Sequence, residues 1–175
     1  EVSGALADHI VERIAFSVNG PSDEYAIEAL FPPRKRFPQK EIIAGSSASL
    51  YDQVQKDSKV EEDFVAQLNA DPQVIFYFKF PPAFKLHFPK VIGNYNPDWG
   101  IARRSDSGNV VLHLVRETKG SADLSKLQFP HERRKIECAQ KIFRELGVSY
   151  RHVTGTTQGW WEDGEDVGVQ GIADL

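Results

Sequence analysis

The chain has 175 residues, with 21 Lys and Arg against 25 Asp and Glu, one cysteine and no methionine. That length suits one compact domain with a sizeable core, or one domain plus an arm. With 41% apolar and 26% charged residues it has the composition of an ordinary globular protein, which excludes collagen-like, disulfide-scaffold and wholly disordered chains. Cys138 has no partner for an internal disulfide, there is no long apolar run, and the opening EVSGALADHIVERIAF lacks a basic n-region and a cleavage site. A soluble, cytoplasmic protein with no membrane segment is therefore expected. The absence of Met implies a piece of a longer polypeptide.

Net charge is unevenly spread. The last 20 residues hold Glu162, Asp163, Glu165, Asp166 and Asp174 and no base, so without those five acids the balance moves from −4 to +1. Between Arg116 and Arg151 nine bases face five acids, enough for a local basic surface or an ordinary solvated helix face.

Residues 6–16 carry Ile10, Val11, Ile14 and Ala15 as a helix-like stripe. Gly20, Pro21, Pro32, Pro33 and Pro38 break residues 19–40 into a surface loop that includes the basic PPRKRFPQK. Residues 42–44 read as a short strand, and the compact domain is expected to begin near Ser49. Residues 58–68 read as a helix with Asp57 or Ser58 as its cap and acids in the first turn. The β-branched and aromatic run at 74–80 predicts a strand, and 84–88 a second, shorter extended piece. Residues 98–103 and 110–117 predict a hairpin across SDSGN. Residues 131–146 predict an amphipathic helix with Ile136, Ala139, Ile142, Phe143 and Leu146 inward and Gly147 as its stop. A last strand is expected at 148–153. The sum is a mixed α/β layer.

A hairpin turning around Ser107 and Gly108 pairs residues whose numbers sum to about 215, which sets Asp98 opposite Glu117. Opposed residues share a face about 5 Å apart at Cβ, and Lys119 shares it while the strand stays extended. The strand VVLHLV is apolar on both faces, which predicts a central, buried strand. Two carboxylates at its end are costly unless a cation joins them. They are suitable hard ligands for Mg²⁺, and a nearby Lys can orient or help deprotonate water, a set suited to phosphodiester hydrolysis. Short D…ExK triplets also arise as strand-end salt bridges. Glu61 lies on the inward stripe with Phe64, Val65 and Leu68, either as a third functional acid or as a first-turn helix acid.

With Pro97, Asp98, Glu117, Thr118 and Lys119 in an αβββαβ order, the chain resembles the PD-(D/E)xK, or restriction-endonuclease-like, superfamily. IGNYNPDW followed by VRETKG, with DSKVEEDFVAQL before and HERRKIECAQKIF after, resembles more narrowly the C-terminal endonuclease domain of the restriction subunit of type III restriction enzymes. The likeness covers residues 49–153. It implies that Asp98 and Glu117 bind the divalent metal, that Lys119 assists the water and that Glu61 is a supporting acid. It further implies double-stranded DNA as substrate, a modification methyltransferase subunit as partner, and residues 1–48 as a helical connector from an upstream ATP-dependent motor. Residues 154–175 are left as an acidic, Gly-rich tail matching no part of the motif. A nuclease of another repair or defence system, or a silent nucleic-acid-binding module of the same fold, are the alternatives.

Arg103, Arg104, Arg133 and Lys135 are candidate phosphate contacts, and Glu132 and Lys135 could approach the scissile phosphate or form surface salt bridges. His87, His113 and His131 lack metal-ligand spacing, Cys138 reads as core, and Trp99 is expected to pack under the hairpin. No GxxxxGK[ST] occurs, so ATP would bind only on the upstream motor.

Overall fold

Four strands form one mixed sheet, and the connections between them dictate their directions. The computed structural model describes residues 2–17, 27–34, 41–121, 123–127 and 129–163. In chain order the elements are α1 (Val2–Arg13), α2 (Ile27–Leu30), β1 (Ile42–Ala44), β2 (Gln53–Gln55), α3 (Lys59–Ala70), β3 (Val74–Lys79), β4 (Trp99–Arg104), β5 (Val111–Thr118), a 3₁₀ turn (Leu124–Lys126), α4 (Pro130–Glu145) and β6 (Ser149–Val153). The sheet order is β3-β4-β5-β6, while β1 and β2 make a separate two-stranded ladder. The SDSGN turn, with Gly108 at φ +76°, returns β5 antiparallel to β4. β6 runs parallel to β5, which a tight turn cannot achieve, and α4 supplies the crossover. The architecture is mixed α/β with helices flanking the sheet. Among the described residues no helix is long and apolar enough to cross a membrane.

Local chemistry explains the element ends. Ser58 has extended dihedrals and its hydroxyl accepts from the Glu61 N–H, so Ser58 rather than Asp57 caps α3. Pro130 sits in the first turn of α4, where its missing N–H costs nothing, and Gly147 at φ +66° ends it. Ile136, Ala139 and Phe143 are buried as the stripe predicts, with Cys138 beside them, whereas Leu146 is exposed because it is already the C-cap. The extended piece expected at 84–88 does not join the sheet. Pro81, Pro82 and Pro89 withhold ladder donors there, and one bridge, Leu86 to Tyr95, folds the segment back on itself. The loop read at 19–40 contains the helical turn α2, and its residues 19–26 and 35–40 lie outside the described residues.

The sheet has two core faces because side chains alternate along β5. On one face Leu114 joins Phe64, Val65 and Leu68 of α3, Tyr77 of β3 and Trp99 of β4. On the other, Val115 joins Cys138, Ala139 and Phe143 of α4, Val11 of α1, and Phe88, Ile92 and Tyr95 of the 80–98 excursion. β5 is central as expected, but only Leu114 to Thr118 are buried, and Val111 and His113 near the hairpin turn are exposed.

The described parts of both expected flanks pack on the domain. α1 lies on α4: Asp8 meets Arg134 at 2.7 Å and Arg133 at 3.1 Å, and Lys141 Nζ donates to the carbonyls of Val11, Glu12 and Ile14 at the end of α1. At the other flank Trp160 is 2% exposed, edge-on to Phe64 at 5.5 Å, so the core continues past the expected break at Val153. Arg116, fully buried on the α3 face of β5, holds that segment by donating to the carbonyls of Trp160, Trp161 and Glu162. Burial, with the charge of Arg151 beside it, pushes its guanidinium down to about 10, still cationic at neutral pH. The remainder of the acidic tail, residues 164–175, lies outside the described residues. Trp160→Ala should cost about 3–5 kcal/mol in urea denaturation. A chain ended at Val153 should unfold more readily still, since it also strands the buried Arg116 charge.

Candidate active site

The β4–β5 ladder pairs Trp99 with Arg116 and Gly100 with Val115, so the register sums to 215 as the hairpin turn dictates. One step beyond, Asp98 comes opposite Glu117. Phe80 donates its N–H to the Asp98 carbonyl at 2.8 Å, which ties the PD corner to the end of β3. The Asp98 side chain is fixed through Oδ2, which accepts from the Thr118 backbone N–H at 2.8 Å and from its hydroxyl at 2.7 Å. Among the described residues its Oδ1 accepts no hydrogen bond.

Glu117 is 4% exposed. Its Oε1 lies 2.9 Å from Lys119 Nζ, and its Oε2 accepts from the Tyr95 hydroxyl at 2.6 Å. The Lys119 backbone N–H donates to Val153 at 2.8 Å, which keeps the strand extended past its last ladder pair. That extension puts Lys119 on the Glu117 face, where Glu132 Oε1 of α4 comes within 3.5 Å. Asp98, Glu117 and Lys119, two carboxylates and an ammonium, thus gather at one end of the central strands.

Burial first, then the nearby Asp98 charge, push Glu117 up to about 7, against the opposing pull of Lys119 and the Tyr95 hydroxyl. Burial alone would lower Lys119, but Glu117, Asp98 and Glu132 outweigh it and hold the ammonium above its ordinary value. The site therefore holds a cationic lysine beside a carboxylate pair whose own repulsion is only partly relieved.

Glu61 is buried on the inward side of α3 as its spacing predicts, but it is not unpaired. Its Oε2 accepts from Lys79 Nζ at 2.7 Å and from the Asp57 N–H at 2.6 Å. Lys79 pairs across the ladders with Trp99 and thence with Arg116, so all three project on the α3 face, opposite Glu117. A lysine on the neighbouring strand balances the inward acid, and α3 periodicity gives no sign of it.

The basic candidates separate. Arg103 is 3% exposed, meets Asp71 at 2.8 Å and Asp106 at 2.9 Å, and lies over the Trp161 ring at 4.0 Å. The expectation that it offers charge to DNA is corrected: the guanidinium is buried, and two acids already match it. Arg104 is exposed but stands six residues along the strand from Asp98, roughly 20 Å away. Arg133 is divided between Asp8 and, at 3.7 Å, Glu137. Lys135 is partly exposed beside Gly93, the positive-φ glycine of the IGNYNPDW loop. The histidines behave as ordinary side chains, His87 against Asn94 and His131 stacked on Phe129.

The donor set suits a small divalent cation. Asp98 Oδ1 is free among the described residues, and each Glu117 oxygen retains a lone pair beyond the hydrogen bond or ion pair it makes. Among the described residues no group of three or more His, Cys, Asp or Glu forms a ready cage. An ion here would be held by two carboxylates and would keep water or phosphate oxygens in its other positions, the habit of Mg²⁺.

Tyr95 and Tyr150 were not identifiable as site residues. The signal was Tyr95 three residues before Asp98, but its aim depends on the excursion doubling back through the Leu86–Tyr95 bridge.

A carboxyl raised from 4.5 to about 7 contributes full stability below the lower value and loses it as pH rises to the upper one. In EDTA, Glu117→Gln should accordingly gain on the wild type between those two pH values, by up to ~3 kcal/mol at pH 8 and by nothing near pH 4. Thermal melts at the two extremes measure this difference.

Comparison with curated proteins and with solved structures returns no significant match. The family model RE_endonuc, described as an endonuclease domain, matches residues 47–156, more than half of the chain and the whole stretch from β2 through β6. That stretch contains Glu61, Tyr95, Asp98, Glu117 and Lys119. The chain therefore belongs to the RE_endonuc family and carries a nuclease domain of the restriction-endonuclease type.

Proposed function

We propose that the chain is the Mg²⁺-dependent DNA endonuclease domain of an ATP-dependent type III restriction enzyme. The observation that carries the reading is the opposition of Asp98 and Glu117 at the end of the central strands, with Lys119 Nζ 2.9 Å from Glu117. Asp98 and Glu117 would hold the divalent ion, which when bound supplies Lewis acidity toward the scissile phosphate and a more acidic bound water. Thr118 keeps Asp98 turned toward the site through two hydrogen bonds. Lys119 is held cationic by its neighbours, which favours orienting the attacking water and offsetting negative charge on the transferring phosphate over abstracting a proton. Glu61 supports the site indirectly, through its ion pair with Lys79 under Trp99.

The type III assignment rests on the IGNYNPDW and VRETKG segments in their order. In that setting double-stranded DNA is the substrate, an upstream motor binds ATP, a modification methyltransferase subunit chooses the target, and the enzyme works in the cytoplasm. Each site of this kind cuts one strand, so a double-strand break needs two sites or two events.

Plasmid nicking tests the chemistry. Cutting should require Mg²⁺, stop with EDTA, and fall at least about a hundred-fold in Asp98→Ala and in Lys119→Ala. Metal-dependent cutting that survives Asp98→Ala would sink the site, and no cutting by the full-length enzyme with ATP and its modification partner would leave the silent-module alternative. Binding isotherms test the surface. Arg104→Ala and Lys135→Ala should each reduce the salt dependence of DNA affinity by about one ion, whereas Arg103→Ala should instead lower the melting temperature.

A further inference from the structure

Proton counting gives the tyrosine cluster behind Glu117 a direction. Tyr95 Oη is 2.6 Å from Glu117 Oε2 and 2.7 Å from Tyr150 Oη. A phenol has one proton, and a carboxylate can only accept. With Glu117 ionised, the form a divalent ion requires, Tyr95 donates to Glu117, and Tyr150 must donate to Tyr95. We propose that Tyr150 and Tyr95 form a one-way hydroxyl relay that positions the Glu117 carboxylate for the divalent ion. This inference rests on the nuclease reading of that site.

Three separate parts of the chain hold the relay. Tyr95 comes from the 80–98 excursion and stacks on Phe88 at 6.1 Å and 13°. Tyr150 comes from β6, where it pairs with Val115, so it projects on the same face as Glu117. Its ring lies parallel to Phe143 of α4 at 5.2 Å and 5°. Hydrogen bonds in series polarise one another, so Tyr150 strengthens the bond that Tyr95 makes. With Oε2 held from behind and Oε1 held by Lys119, the carboxylate cannot rotate, and its remaining lone pairs face the site. Tyr95 and Tyr150 touch neither ion nor substrate on this account. They are positioning residues.

The test is calorimetric titration of the 175-residue chain with Mn²⁺ alone, alongside nicking across a Mg²⁺ series. Tyr95→Phe keeps the ring and removes the hydroxyl, and should weaken Mn²⁺ binding about 10- to 100-fold. Its nicking should recover toward the wild-type rate at high Mg²⁺. Tyr150→Phe should weaken binding less, because Tyr95 still donates to Glu117, and the double variant should be no worse than Tyr95→Phe. Tyr77→Phe is the control: it removes the hydroxyl of another buried tyrosine, bonded to Asn69 Oδ1 at 2.7 Å on the α3 face, and should leave Mn²⁺ affinity unchanged. Wild-type affinity in Tyr95→Phe overturns the relay while leaving the nuclease reading standing. Equal loss in Tyr77→Phe also overturns it, since general softening would then explain both. A wild-type chain that neither binds Mn²⁺ nor nicks overturns the reading of the site and the relay with it.

Discussion

Glu117 carries a carboxylate into the interior at the end of the central strand, directly opposite a second carboxylate, and the surrounding elements are arranged around that burden. Burial and the Asp98 charge both oppose its ionisation. Lys119 answers with charge from two residues along the same strand, and Tyr95 with a hydroxyl from the excursion before Asp98. Thr118 draws Asp98 toward its own backbone, so the two carboxylates are fixed by different partners. A carboxylate pair left so partly compensated suits a small cation, and that is the physical link between the fold and the proposed hydrolysis.

Strand alternation lets adjacent residues do unrelated work. Arg116 and Glu117 are neighbours, yet one projects toward α3 and the other toward α4. Arg116 gathers the carbonyls of Trp160, Trp161 and Glu162 and secures the chain beyond β6. Glu117 faces Lys119 and Tyr95. The same parity places Lys79 and its partner Glu61 on the Arg116 face, where they brace Trp99 from beneath. Two buried ionic networks are thereby kept apart by one layer of backbone.

Much of this was legible beforehand. The SDSGN turn has the residues a short hairpin needs, and a turn at that point leaves a single register, so Asp98 opposite Glu117 followed from counting. A cap at Asp57 or Ser58, Gly147 as stop and the inward α3 stripe were likewise local. The errors share a cause. Residues 84–88 have strand-like side chains, but flanking prolines remove the ladder. Arg103 reads as an exposed base because the sequence does not show that Asp71, 32 residues earlier, ends beside it. Trp160 reads as tail because its pocket is built by α3, almost a hundred residues before it.

Sequence alone determined the α/β class, the bounds of α3, α4 and the four sheet strands to within a few residues, the hairpin register and the meeting of Asp98, Glu117 and Lys119. All of these depend on periodicity, caps, turn residues and short-range counting along one or two adjacent strands. Only the tertiary structure decided that Lys79 balances Glu61, that Arg103 is buried, that Arg116 clasps the C-terminal segment and that Tyr150 reaches Glu117 through Tyr95. Those partners lie far apart along the chain and meet only when helices dock on the two sheet faces. Burial then determines their ionisation, and no local pattern of residues encodes burial.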